Sequence, residues 1–133
     1  MYNELLKLLK NSRSDYYNFK VSAILVSNDG RLFNGVNIET SSPQAGICAE
    51  RNALFNAMSN GLKKEDFKEL HIMVDSDKYS FPCYICRQAL NDFVSKDLPI
   101  YLYSKNKFEE RIILKDLLSH SFDKEDLLWN QDL

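Results

Sequence analysis

The sequence predicts an α/β fold, a layered sheet flanked by helices, and three observations carry that prediction. Apolar runs of strand length alternate with stretches of helical periodicity through the middle of the chain. Asn28-Asp29-Gly30 forms a tight turn signal between two strand-like runs, as a hairpin requires. The chain has 133 residues, which fits one domain over residues 1–133 that buries roughly two thirds of its unfolded surface.

Each element follows from local pattern. Tyr2 to Leu9 sets Leu5, Leu6, Leu8 and Leu9 on one side of a helix, a face suited to packing on a sheet. Phe19 to Val26 reads as a buried strand and Arg31 to Asn37 as its returning partner. Ser41-Ser42-Pro43 breaks regular structure, and the apolar positions of Ile47 to Met58 then recur with helical spacing until Gly61. Leu70 to Val74 is a short buried strand, and Cys83 to Val94 a helix whose start is favoured by Pro82. Leu98 to Tyr103 and Arg111 to Leu114 supply further strands. The tail from Ser121 is acidic and carries Phe122 and Trp129, aromatics expected to dock on their own domain.

Composition narrows the function. Lysine and arginine total 17 against 19 acids, a net charge of −2 with no basic cluster, so nothing favours a nucleic acid partner. A small, weakly charged substrate suits this balance better. No apolar run approaches a membrane span, which excludes a membrane role. An odd thiol count without a signal sequence points to a reducing, cytoplasmic compartment.

The chemistry concentrates in two clusters that use all three cysteines: Cys48-Ala49-Glu50-Arg51, and Pro82-Cys83-Tyr84-Ile85-Cys86. Three thiolates suit a zinc ion, one per chain. No histidine stands at ligand spacing, so a tetrahedral zinc would keep one position for water, whereas a structural zinc closes its shell with four protein ligands. Glu50 is then the candidate general base. Cys48 has to sit at the helix end, because residues two apart within a helix point roughly 200° away from each other and Glu50 could not otherwise share its site. A helix end also favours the thiolate. Three thiolates and a dication sum to −1, and Arg51 can donate to the sulfurs and offset that excess. Asn37 and Glu39 close the second strand and share a face, so both can reach one polar object; two solvated residues opening a loop is the alternative. His71 and His120 are assigned no chemistry.

As a set, Asn37-Ile38-Glu39, C-A-E-R at 48–51 and P-C-x-x-C-R-Q at 82–88 resemble the short-form cytidine deaminases, in the order of that family, with the likeness running from about Tyr16 to Leu127. The resemblance implies a three-layer α-β-α fold around a five-stranded mixed sheet, usually assembled as a homotetramer with shared active sites. It implies hydrolytic deamination of cytidine and 2'-deoxycytidine in pyrimidine salvage, with zinc held by Cys48, Cys83 and Cys86. There a zinc-bound hydroxide attacks the ring carbon that bears the amino group, and Glu50 carries the protons. Asn37 and Glu39 would read the ribose, Phe19 would wall the pocket, the backbone around Ala49 would contact the base, and Phe122 would enter a neighbouring subunit's site. Lys20, Ser22, Pro43, Tyr84 and Ile85 depart from the family pattern at the pocket floor and the subunit contacts. Two rivals are a related aminopyrimidine nucleoside deaminase of blasticidin type, which lacks the Asn37-Ile38-Glu39 pattern, and a zinc-stapled binding module without turnover, which has no use for Glu50.

Overall fold

Leucine spacing at the N-terminus produces the first helix, α1, over Tyr2–Leu9. Leu5 and Leu9 are buried and Leu8 is half-buried, but Leu6 faces solvent. Four leucines in a row of five cover more than the stripe that a helix presents to a sheet, so one of them must turn outward. The computed structural model describes residues 1–128; the docking expected of Trp129 lies outside the described residues.

Strands β1 (Val21–Ser27) and β2 (Leu32–Val36) form the expected hairpin. Its four-residue loop carries Gly30 at φ +88°, a left-handed conformation that glycine adopts without steric cost. Helix α2 (Ala49–Ser59), strand β3 (Phe67–Val74), helix α3 (Tyr84–Phe93) and strands β4 (Pro99–Tyr103) and β5 (Phe108–Ile113) follow, and α4 (Glu125–Leu128) closes the described chain.

The five strands lie in the order β2-β1-β3-β4-β5, so the sheet is mixed: β3 and β4 run parallel and every other pair is antiparallel. β1 is buried along its whole length because both of its faces are covered. Val21, Ala23 and Leu25 join Leu70, Ile72 and Val74 in the core beneath α2 and α3, while Ile24, Val26 and Met73 pack with Leu5 and Leu9 of α1 on the opposite face. These are the three layers expected. Ser22 belongs to the α1 face, where its buried hydroxyl donates to the Leu5 carbonyl at 2.9 Å and ties the helix to the sheet.

Gly35 sets the distance between the sheet and α2. A Cβ at this position would lie 2.4 Å from the Ala49 carbonyl oxygen and 2.4 Å from the Ala53 nitrogen, both backbone atoms of α2. Only a residue without a side chain lets the helix come so close to β2.

Candidate active site

Cys48 and Cys83 are the N-cap residues of α2 and α3, each with extended backbone. Neither side chain caps its helix; both are free to point into the gap between the two helix starts. Glu50 lies one residue inside α2 and Cys86 in the first turn of α3. Cys48 therefore leads the helix rather than sitting within it, the arrangement that lets Cys48 and Glu50 share a site.

The three Sγ atoms lie within 4.8 Å of one another, with Cys48 and Cys83 only 3.8 Å apart. Tetrahedral zinc with Zn–S bonds of ~2.3 Å separates its sulfurs by roughly 3.8 Å, so the triad fits that ion in spacing as well as in donor type. Cys86 is buried, Cys48 half-buried and Cys83 exposed, which leaves one side of the triangle open. Arg51 donates from Nη2 to the Cys48 sulfur at 3.6 Å, as charge balance required. The hydrogen bond from the Cys86 thiol, more than the Arg51 guanidinium, draws the Cys48 thiol down to about 5, against the effect of burial. Cys86 is pushed up, first as the donor in that bond and then by its own burial.

Glu50 is 6 % exposed, and its burial, reinforced by the Cys48 thiolate, lifts its carboxyl to about 7. A carboxyl group titrating near neutrality can both accept and return a proton.

These groups open onto a cavity of about 350 Å³ lined by Phe19, Asn37, Glu39, Cys48, Glu50 and Cys83 among others. Pro43, which opens a short 3-10 turn, and Phe81 line it as well. Ala49, between Cys48 and Glu50, is fully buried and is not among the lining residues. Phe122 is not among the residues lining the cavity of its own chain. Its carbonyl accepts from Gln88 Nε2 at 2.8 Å and Asn91 Nδ2 at 3.2 Å, both on α3, while its ring is 53 % exposed. The backbone of this aromatic is thus docked on its own chain, and about half of the residue stays exposed.

Asn37 and Glu39 meet at the cavity, but both also hold their own chain together. Asn37 Oδ1 accepts from the Ser12 hydroxyl and from the Val21 amide at 2.8 Å, and Asn37 Nδ2 donates to the Phe19 carbonyl at 2.7 Å. Glu39 Oε1 accepts the Tyr16 and Tyr17 amides, each at 2.9 Å, and Oε2 accepts the Ser14 hydroxyl. The Ser14 hydroxyl, ahead of those two amides, keeps the Glu39 carboxyl below its ordinary value. Sequence reasoning missed Ser12 and Ser14. The available signal was their spacing: S-x-S matches N-x-E, and both pairs are two residues apart.

Comparison with known proteins agrees with this geometry. The family model described as the cytidine and deoxycytidylate deaminase zinc-binding region matches residues 1–102. A cytidine deaminase from Sporosarcina psychrophila is 40% identical over 113 residues, covering 84% of this chain and 81% of that one. One from Halalkalibacterium halodurans is 32% identical over 124 residues, covering 93% and 92%. A crystal structure of cytidine deaminase from Burkholderia pseudomallei superposes with a TM-score of 0.81 at 31% identity, covering 92% of this chain and 99% of that one.

Proposed function

Because this chain belongs to the cytidine and deoxycytidylate deaminase zinc-binding family, we propose that it hydrolyses cytidine and 2'-deoxycytidine to uridine and 2'-deoxyuridine, releasing ammonia. The observation that carries the reading is the convergence of the Cys48, Cys83 and Cys86 sulfurs beside a buried carboxylate at a cavity. Zinc, held by these three thiolates, supplies a Lewis acid that makes water nucleophilic near neutral pH.

The chain's own residues do the rest. Glu50 takes the proton from the attacking water, delivers it to the ring nitrogen and carries a second to the departing amine. Arg51 offsets the charge of three thiolates through its bond to Cys48. Phe19 offers an aromatic wall to the base, the backbone about Ala49 contacts the base, and Asn37 and Glu39 face the sugar. Among the described residues Arg51 is the only cation lining the cavity, and its guanidinium is engaged by the sulfur. A phosphorylated substrate would meet Glu39 with no basic partner, which supports a nucleoside over a nucleotide.

The proposal extends to a cytoplasmic homotetramer acting in pyrimidine salvage, in which Phe122 enters a neighbouring subunit's site. Three thiols without a disulfide suit a reducing compartment. The outward ring of Phe122 and the exposed Phe55, Tyr84, Ile85 and Phe93 along α2 and α3 support contact between copies. Among the described residues no helix is long and apolar enough to cross a membrane.

The test is Glu50→Gln on zinc-analysed protein, followed by loss of cytidine absorbance. Turnover should fall by ~10²–10⁴-fold with zinc content retained. Persisting turnover would sink the mechanism, and loss of zinc together with turnover would recast Glu50 as structural and favour a zinc-stapled binding module.

A further inference from the structure

Ser12 and Ser14 lie in the irregular segment between α1 and β1, yet they are only 6 % and 7 % exposed. Serines in such segments are ordinarily solvated. A short parallel bridge pairs Arg13 with Ile38: the Arg13 amide donates to the Asn37 carbonyl at 3.0 Å, and the Glu39 amide to the Arg13 carbonyl at 2.8 Å. In extended backbone, residues two apart share a face. The bridge therefore sets Ser12 opposite Asn37 and Ser14 opposite Glu39, and each hydroxyl donates to its partner.

These bonds use up most of the hydrogen-bonding capacity of Asn37 and Glu39. A side-chain amide oxygen has two acceptor sites, and both on Asn37 are taken, by Ser12 and by Val21. The amide group is thereby held in one of its two orientations. Its nitrogen uses one hydrogen on the Phe19 carbonyl and keeps one N–H without a partner among the described residues. An ionised carboxylate has about four acceptor sites; Ser14, Tyr16 and Tyr17 occupy three on Glu39. What remains on two residues lining the cavity is one donor and one acceptor, the complement of an alcohol.

We propose that Ser12 and Ser14 are positioning residues that set the hydrogen-bonding polarity of Asn37 and Glu39 toward a sugar hydroxyl, so that sugar selectivity is fixed from the segment between α1 and β1. This rests on the nucleoside deaminase reading above. Loss of Ser12 would leave the Asn37 amide free to turn over. Loss of Ser14 would free Glu39 Oε2 and the Phe19 amide, which donates to Ser14 Oγ at 2.7 Å, and would loosen the carboxylate.

The experiment measures KM and kcat of the zinc-loaded wild type, Ser14→Ala, Ser12→Ala, Ser14→Thr and Glu39→Ala with cytidine and 2',3'-dideoxycytidine, which lacks both ring hydroxyls. Ser14→Ala and Ser12→Ala should each raise KM for cytidine by about tenfold, with kcat changed no more than about twofold and little change on the dideoxy substrate. Ser14→Thr, which retains the hydroxyl, should restore the cytidine KM. Unchanged KM in both alanine variants overturns the proposal, as does an equal loss on both substrates accompanied by a lower unfolding temperature. If Ser14→Ala fails to fold, Ser12→Ala decides alone, because it acts through Asn37. A wild type without cytidine turnover refutes the deaminase reading itself. A defective Glu39→Ala beside unaffected serine variants refutes only the positioning role.

Discussion

Gly35→Ala probes the site from its far side, through the backbone contact that sets where α2 begins. The added methyl would meet the Ala49 carbonyl oxygen and the Ala53 nitrogen at 2.4 Å, whereas ordinary contact starts at 3.4 Å. Both obstacles are helix backbone, so the helix has to retreat by about 1 Å, since a packed interior has no slack to absorb the overlap. Overpacking of this kind costs about 1–3 kcal/mol, which for a chain of this size lowers the unfolding temperature by roughly 4–12 °C. The larger effect falls on the metal. Cys48 occupies the N-cap position of the retreating end, and zinc–ligand distances tolerate only about ±0.2 Å. Carrying one sulfur away from the other two should weaken zinc affinity by ~10–100-fold, although no ligand has been changed. Competition with a chromophoric chelator measures the affinity, and thermal unfolding of the zinc-loaded protein measures the stability. A Gly35→Ala protein with wild-type zinc affinity and unfolding temperature would refute the claim that this close approach positions the metal site.

Three further outcomes are expected. Cys86→Ala should abolish stoichiometric zinc and destabilise the fold, because the free energy of ligation is also free energy of folding; full zinc content by elemental analysis would mean a different ligand set. Co-refolding Glu50→Gln with Phe122→Ala should recover part of the activity that each lacks, since a mixed oligomer contains sites with an intact Glu50 from one chain and an intact Phe122 from another; confirmed mixed oligomers without any gain would place Phe122 outside the neighbouring site. Glu39 has its folded pKa held below 4.5, so its contribution to stability is fully present above the unfolded value and is lost as pH falls through the folded one. Urea midpoints for Glu39→Gln should therefore depend less on pH below about 4.5 than those of the wild type, and identical slopes would show that the Ser14 bond does not favour the ionised form.

The metal triad was legible because its residue types are rare and its spacing is chemically specific. Cys48 at a helix start followed from geometry alone, since no other placement brings Glu50 to the same metal. The hairpin was legible from one glycine. Other features were hidden for physical reasons. β3 begins at Phe67 and β5 at Phe108, earlier than the apolar pattern indicates, because the Lys68-Glu69 and Glu109-Glu110-Arg111 segments are held by ladder bonds that carry no hydrophobic signature. Leu6 faces water although its residue type is apolar. Ser12 and Ser14 meet partners 25 residues away, and the matching S-x-S and N-x-E spacings give no sign that the two segments pair until the bridge between them is seen. Gly35 reads as an ordinary weak point in a strand until the helix across from it is known.

The parallel pairing of β3 and β4 bears on the order in which the molecule assembles. The β1–β2 hairpin closes a loop of four residues, so little chain entropy is lost in bringing its strands together. Parallel strands allow no such shortcut: β4 reaches β3 only after the whole crossover that carries Cys83, Cys86 and α3 has folded back over the sheet. The sulfurs of Cys48 and Cys83, 35 residues apart in sequence, likewise meet through a non-local contact, between the starts of α2 and α3. Zinc capture is therefore expected only once the starts of α2 and α3 have been brought side by side over the sheet, a step that zinc-dependent refolding kinetics would time.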